Sequence, residues 1–317
     1  MPASTIHTEL STAVQHPAPL GVVPKELVHR DNAAEVLLTG WQRQDADRFT
    51  VTALWPRGHS FFTSVDNGSY DPLLIAETMR QLCILLPHTE FGVPLGHHFL
   101  LQGLRVTVQP QCLRIDETPA QLDIEVTGSG IEQRRGVLTE GRFQAVFRRA
   151  GEVVATAAID LSILSPGVYQ RVRGGRNQQI SAASRSLLAP GYQPQTVGRV
   201  ADMDVVLAPD REQDKWQVRA DARHPIFFDH PLDHVPGMLL LEAARQAAAR
   251  LMGRSSLQLF GIGGEFHRYV ELDAPCVVEA RHFPQQRPGD KQIVIVTGHQ
   301  HGELCFNVTV SAAQGAR

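Results

Sequence analysis

The residues best suited to chemistry in this chain sit in apolar surroundings. In "DHVPGMLLLEAARQAA", residues 233–248, Glu242 and Arg245 interrupt a run of Met, Leu and Ala. In "DPLLIAETMRQ", residues 71–81, Glu77 and Arg80 do the same. Carboxylate and guanidinium are three residues apart in each, which puts them on one helix face. A charge in an apolar wall is costly unless it is paired or used. If used, such a carboxylate has its pKa pushed upward, which suits a general base. The arginine one turn further carries forked donors for a phosphate or carboxylate. Each helix opens after a proline, Pro72 or Pro236, a first-turn signal. The amides of Gly237 and Met238 then lie at a helix N-terminus, where unpaired N–H groups can hold a developing oxyanion.

These pairs are positioned by a repeat. "HSFFTSVDNGSYDPLLIAETMRQ" begins at His59 and "HPIFFDHPLDHVPGMLLLEAARQ" at His224. The two align without a gap at an offset of 165, and both end in E-x-x-R-Q. Self-similarity of this kind marks a duplicated unit. Alternating strands precede each block, "RFTVTALW" (48–55) and "KWQVRAD" (215–221). After each helix a glycine turn leads to an aromatic-led strand, "GHHFLLQGLRVTV" (96–108) and "GGEFHRYVEL" (263–272). Three more strand-like runs follow in each half, with period-two alternation and β-branched content. A long apolar helix must bury every face, and a curved antiparallel sheet wrapped around it does so. The pattern predicts an α+β double hotdog: a tail (1–22), a first hotdog domain (23–164), a linker (165–196) and a second hotdog domain (197–317). The linker is rich in Gly, Pro, Ser and Gln. Its Arg171, Arg173, Arg176 and Arg185 read as solvated residues in preference to a patch for a phosphate-bearing carrier.

Composition removes several classes. Charged residues are 20% and the formal net charge is -3, so nucleic acid is not an expected partner. Cys83, Cys112, Cys276 and Cys305 are widely spaced, which fits a reducing compartment and neither a disulfide scaffold nor a thiolate zinc site. There is no signal pattern and no apolar run near the roughly 18 residues a membrane helix needs, so the expectation is a cytoplasmic protein off the membrane. No G-x-S-x-G occurs, and "GIGGEF" (261–266) precedes no helical pattern, so it fails as a nucleotide-binding loop. His299, His301 and Cys305 read as a polar hairpin and not as metal ligands. No metal or organic cofactor is expected. His97 and His98 read as loop or sheet-edge residues, and for His267-Arg268, which follow the second helix, a place at the site mouth is the lesser of two readings. His234, Arg268, His224 and His59 join Gly237 and Met238 as candidate substrate-binding residues.

"PGMLLLEAARQAA" resembles the helix of hotdog dehydratases, which carry a catalytic carboxylate at the position of Glu242. Those enzymes also need a histidine 14 positions earlier, where this chain has Phe228 and, in the first half, Thr63. "LVHR" (27–30), "DRFTVTALWPRGHSFF" (47–62), "DPLLIAETMRQ" (71–81), "FGVPLGHHFL" (91–100) and "DHVPGMLLLEAARQAA" together resemble the A-factor synthase (AfsA) family of γ-butyrolactone biosynthesis proteins in actinobacteria. Ser60 departs from the proline usual there. The resemblance implies transfer of a β-ketoacyl group, carried as a thioester on acyl carrier protein, to a hydroxyl of dihydroxyacetone phosphate. The ester then closes to a butenolide phosphate. Such a reaction needs a base, an oxyanion site and a phosphate anchor. Glu242, the Gly237 and Met238 amides, and Arg245 are the expected bearers, with tuning of Glu242 as the alternative role for Arg245. Glu77 and Arg80 complete that site, form a second one, or are structural. The competing expectations are another hotdog thioester enzyme, a hydratase or thioesterase, and a non-catalytic acyl-binding regulator. Two hotdogs in one chain already make the pair that single hotdogs form by dimerising, so monomer and homodimer are both compatible.

Overall fold

Phe49, Val51, Ala53 and Trp55 face inward while Arg48, Thr50 and Leu54 face solvent, so residues 48–55 make a half-buried strand. The same alternation recurs through the chain and closes a sheet around two helices. The computed structural model describes residues 21–65, 68–174, 188–212, 214–283 and 291–313. Most of the expected tail, with Arg176 and Arg185 of the linker, lies outside them.

The first repeat contains β1 (Leu38–Arg43), β2 (Arg48–Trp55), helix α1 (Leu73–Glu90), β3 (His98–Val108), β4 (Ala120–Arg134), β5 (Val137–Arg149) and β6 (Glu152–Leu164). Helix α2 (Pro166–Arg173) follows. The second repeat contains β7 (Leu207–Pro209), β8 (Lys215–Val218), helix α3 (Gly237–Leu251), β9 (Leu259–Phe266), β10 (Val277–Phe283), β11 (Gln292–Gln300) and β12 (Glu303–Ala312). Strand order is β1-β2-β4-β5-β6-β3-β9-β12-β11-β10-β8-β7, one continuous antiparallel sheet that reads the same outward from its centre. This is the double hotdog that the repeat predicts.

The halves join where β3 pairs with β9, from Gly103 opposite Glu265 to Thr107 opposite Gly261. The glycines of "GIGGEF" belong to this seam. A Cβ on Gly261 would stand 2.9 Å from the Val106 carbonyl oxygen, and one on Gly264 would stand 3.1 Å from Leu241 of α3. Only a bare backbone lets strand and helix approach so closely. Both helices are buried on nearly all sides, with Leu73, Leu74, Leu82, Leu239 and Leu241 fully enclosed. Each such leucine contributes about 1.5–3 kcal/mol.

Three local readings change. The run "GGEFHRYVEL" is strand only to Phe266, because the His267 and Arg268 amides both donate to the Cys305 carbonyl and turn the chain off the sheet. "KWQVRAD" ends as a strand at Val218. In the linker, α2 packs back on the second repeat and buries Tyr169 and Arg173. Arg173 is therefore not a solvated residue: it donates to Asp233 and Glu271. Among the described residues no helix is long and apolar enough to cross a membrane.

Candidate functional site

Both helix carboxylates are saturated. Glu242 accepts hydrogen bonds from Nε and Nη2 of Arg199, from Nε and Nη2 of Arg245, and from Nε2 of Gln246, all between 2.6 and 2.8 Å. Glu77 is held in the same way by Arg30, Arg80 and Gln81. Burial pushes both carboxyls up, but the paired guanidiniums outweigh it and hold each down at about 2. The sequence predicts a raised pKa and a free general base; the structure gives the opposite sign. The reason lies in Arg30 and Arg199, which come from distant loops and supply a second guanidinium each.

The same residues tie the repeats together. Arg30 donates to the Ile226 carbonyl of the second repeat, and Arg199 donates to the Phe61 carbonyl of the first. Gln81 and Gln246 bridge to the loops before β1 and β7. His59 and His224 are structural as well. Each Nδ1 accepts two backbone amides of its own turn, and each Nε2 meets a carboxylate, Glu35 or Asp204. Neither lines the cleft described next, which corrects their reading as substrate-binding. Arg245 is likewise enclosed, so it is not positioned as a phosphate anchor.

A cleft of about 1160 Å³ opens where residues of the two repeats meet. Its walls bring Arg80, Arg30 and His29 of the first repeat to Gly237, Met238, His234 and Arg268 of the second. Phe99, Leu101, Ile159, Leu161, Met238 and Leu240 supply an apolar lining. By pseudo-symmetry a second cleft would lie at Arg245, Gly198 and the start of α1. There the Asp71 carboxylate accepts the Leu73 amide and pairs with Arg199 at 3.1 Å. Gly198, at φ +73, is backed so closely by the Ser255 carbonyl that a Cβ would lie 2.6 Å from it. In the first repeat the matching left-handed position is His29, at φ 51, whose side chain lines the open cleft.

At the start of α3 the residue matching Asp71 is Pro236, which provides no side-chain cap. The Gly237 and Met238 amides thus keep the unpaired, partly positive character of a helix start. Gly237 packs tightly; a Cβ there would meet Leu101 at 3.1 Å. Arg80, which also lines the cleft, donates through Nε and Nη2 to Glu77 and through Nη2 to the Val28 carbonyl at 3.4 Å, and is still 21% exposed. Burial, with His88 and Arg80 nearby, pushes His29 down to about 3, and burial with Arg80 and Arg30 also lowers His230. Both are neutral at physiological pH and able to accept as well as donate.

Several residues stand differently from their sequence reading. His97 and His98 border the cleft, with the His98 ring stacked on Tyr169 at 3.6 Å. Arg268 is among the residues lining the cleft and pairs with Glu303. His234 shares the cleft, with Nδ1 bonded to Asp233 at 2.7 Å. Among the described residues no three His, Cys, Asp or Glu side chains gather as metal ligands. Sequence reasoning missed Arg30 and Arg199, although "LVHR" and the matching "TVGR" both place an arginine after a left-handed residue. It also missed Tyr169 and Arg173, which bring α2 to the cleft.

A tandem hotdog with an apolar cleft at a central helix start defines the class of protein. A protein described as an oleoyl thioesterase from Lactobacillus plantarum shares the fold with a TM-score of 0.50, at 12% identity over 86% of this chain and 99% of that one. The chain belongs to the A-factor biosynthesis hotdog domain family, whose model matches residues 12–165 and 186–313. It is 44% identical over 93% of its length to a Streptomyces virginiae protein named 2-oxo-3-(phosphooxy)propyl 3-oxoalkanoate synthase, covering 98% of that protein. A Streptomyces coelicolor protein of the same name is 42% identical over 91% of both chains.

Proposed function

We propose that this chain is a 2-oxo-3-(phosphooxy)propyl 3-oxoalkanoate synthase that transfers a β-ketoacyl group from an acyl carrier protein thioester to a hydroxyl of dihydroxyacetone phosphate. The observation that carries the reading is the cleft whose lining brings together Arg80, the uncapped start of α3 and an apolar wall. Each part answers a need of the reaction. The apolar lining accepts the acyl chain. The Gly237 and Met238 amides hold the oxyanion that forms on the thioester carbonyl, an effect worth about 10²–10³ in rate for a single donor. Arg80 anchors the phosphate as a charge-assisted hydrogen-bond donor, and Glu77 holds its guanidinium in place. The nucleophilic hydroxyl then lies between anchor and carbonyl, where positioning alone lowers the barrier. Collapse of the tetrahedral intermediate expels the carrier thiol and leaves a phosphorylated ester, which closes to a butenolide phosphate.

On this reading one site per chain works, with each repeat supplying half of it. Glu242 and Arg245 serve the architecture. The continuous sheet supplies within one chain the pair that single hotdogs obtain by association. The four unpaired thiols suit a cytoplasmic enzyme. The test is the release of carrier thiol. Thiol release that depends on dihydroxyacetone phosphate supports acyl transfer; release at the same rate without it identifies a thioesterase.

A further inference from the structure

The proposed reaction needs a base for the attacking hydroxyl, and neither helix glutamate is free to act as one. We infer that His234, oriented by Asp233, is the general base of the cleft; this rests on the acyl-transfer reading of the same site. His234 lies just before the α3 start and lines the cleft with Pro236, Gly237 and Met238. Its Nδ1 lies 2.7 Å from Oδ1 of Asp233. That carboxylate also accepts the Tyr169 hydroxyl at 2.7 Å and Nε of Arg173 at 2.9 Å. A carboxylate held by a guanidinium and a phenol carries no proton of its own. The hydrogen shared between His234 and Asp233 therefore belongs to Nδ1, and Nε2 is the ring nitrogen left to take a proton. A carboxylate that fixes tautomer and ring plane in this way is the orienting member of a base dyad.

The surroundings make the arrangement rigid. Arg173 donates through both terminal nitrogens to Glu271 at 2.8 Å and lies over the Tyr269 ring at 4.3 Å. Tyr269 in turn meets the His234 ring edge to face at 4.8 Å. The His234 side chain stays 25% exposed, whereas Asp233 is 13% exposed. The first repeat has no counterpart: in the aligned repeats, Gly68 and Ser69 stand where the second has Asp233 and His234. The dyad therefore occurs at the helix start that is open.

The step balances within the site. Nε2 of His234 takes the hydroxyl proton as the oxygen bonds to the thioester carbonyl carbon. When the C–S bond breaks, the imidazolium returns that proton to the departing thiolate, and the ring ends as it began.

Two measurements decide the matter. In the resting protein, nitrogen-15 NMR at neutral pH, with His234 assigned by its loss in His234→Gln, should show an Nδ1–H tautomer that Asp233→Asn abolishes. An Nε2–H tautomer, or one that Asp233→Asn leaves alone, overturns the inference. In turnover with a β-ketoacyl pantetheine thioester and dihydroxyacetone phosphate, His234→Ala should lose roughly a hundredfold to ten-thousandfold in kcat, still bind the thioester, and recover in part with added imidazole. Tyr169→Phe should lower kcat and leave KM unchanged. Wild-type kcat in His234→Ala overturns the base, and wild-type kcat in Tyr169→Phe removes the part given to α2. If the wild type transfers no acyl group at all, the acyl-transfer reading fails, and the tautomer still decides the dyad.

Discussion

Asp71 and Pro236 occupy the same place in the two aligned repeats, and of the two only Asp71 caps its helix. One side chain thereby separates a closed helix start from an open one. Installing the missing cap with Pro236→Asp should raise helix stability by about 0.5–2 kcal/mol, visible as a higher melting temperature. It should also occupy the donors proposed to hold the oxyanion and lower turnover by roughly a hundredfold or more. A stabilised variant with full activity would remove the Gly237 and Met238 amides from the reaction.

Glu242 predicts the reverse pairing of effects. Its removal leaves Arg199 and Arg245 buried without their counter-charge. Losing one partner of a buried ion pair costs about 3–5 kcal/mol. Glu242→Gln should show that loss in denaturant unfolding, while the folded fraction keeps turnover within an order of magnitude. Lost turnover with unchanged stability would restore Glu242 as the base.

Those two residues also mark how far the sequence could be read. The repeat, the helix starts after proline and the E-x-x-R pairs are legible because their spacing is local. The compensating charges are not local. Arg30 and Arg199 reach Glu77 and Glu242 from 47 and 43 residues away. Those two unequal spacings also put the arginines out of register with the gapless repeat. A carboxylate in an apolar run therefore looks unpaired in sequence and is doubly paired in the fold. The Asp71 and Pro236 difference is visible in the aligned repeats, yet its meaning needs the cleft. Arg173 fails from sequence for a related reason: a Gly-rich linker gives no sign that one short helix will dock.

Arg80 carries the prediction for substrate. Arg80→Gln should raise KM for dihydroxyacetone phosphate roughly tenfold to a hundredfold, matching the roughly 1.5–3 kcal/mol of a charged hydrogen bond. Binding of the acyl thioester alone should change little. Glu77 keeps Arg30 and Gln81, so the protein should stay folded. Equal loss for both substrates would contradict the phosphate role.

The two ion clusters set an acid limit. Glu77 and Glu242 fall from an ordinary 4.5 to about 2 in the folded protein. A carboxylate lowered by folding adds stability above its unfolded pKa and loses it as pH drops through the folded one. Stability should therefore be flat with respect to these groups above about pH 5 and fall steeply toward pH 2. The combined loss is on the order of several kcal/mol. Urea unfolding across that range measures it. A Glu242→Gln protein should show a shallower slope, and an equal slope would exclude this source.

The central claim is that the cleft joins an acyl group to a phosphate-bearing alcohol. The direct measurement is rapid-quench mass spectrometry of the purified protein with β-ketoacyl carrier protein and dihydroxyacetone phosphate. The account predicts one phosphorylated ester, or its butenolide phosphate, for each thioester consumed. Free β-keto acid as the product, or thioester left unchanged, would contradict it.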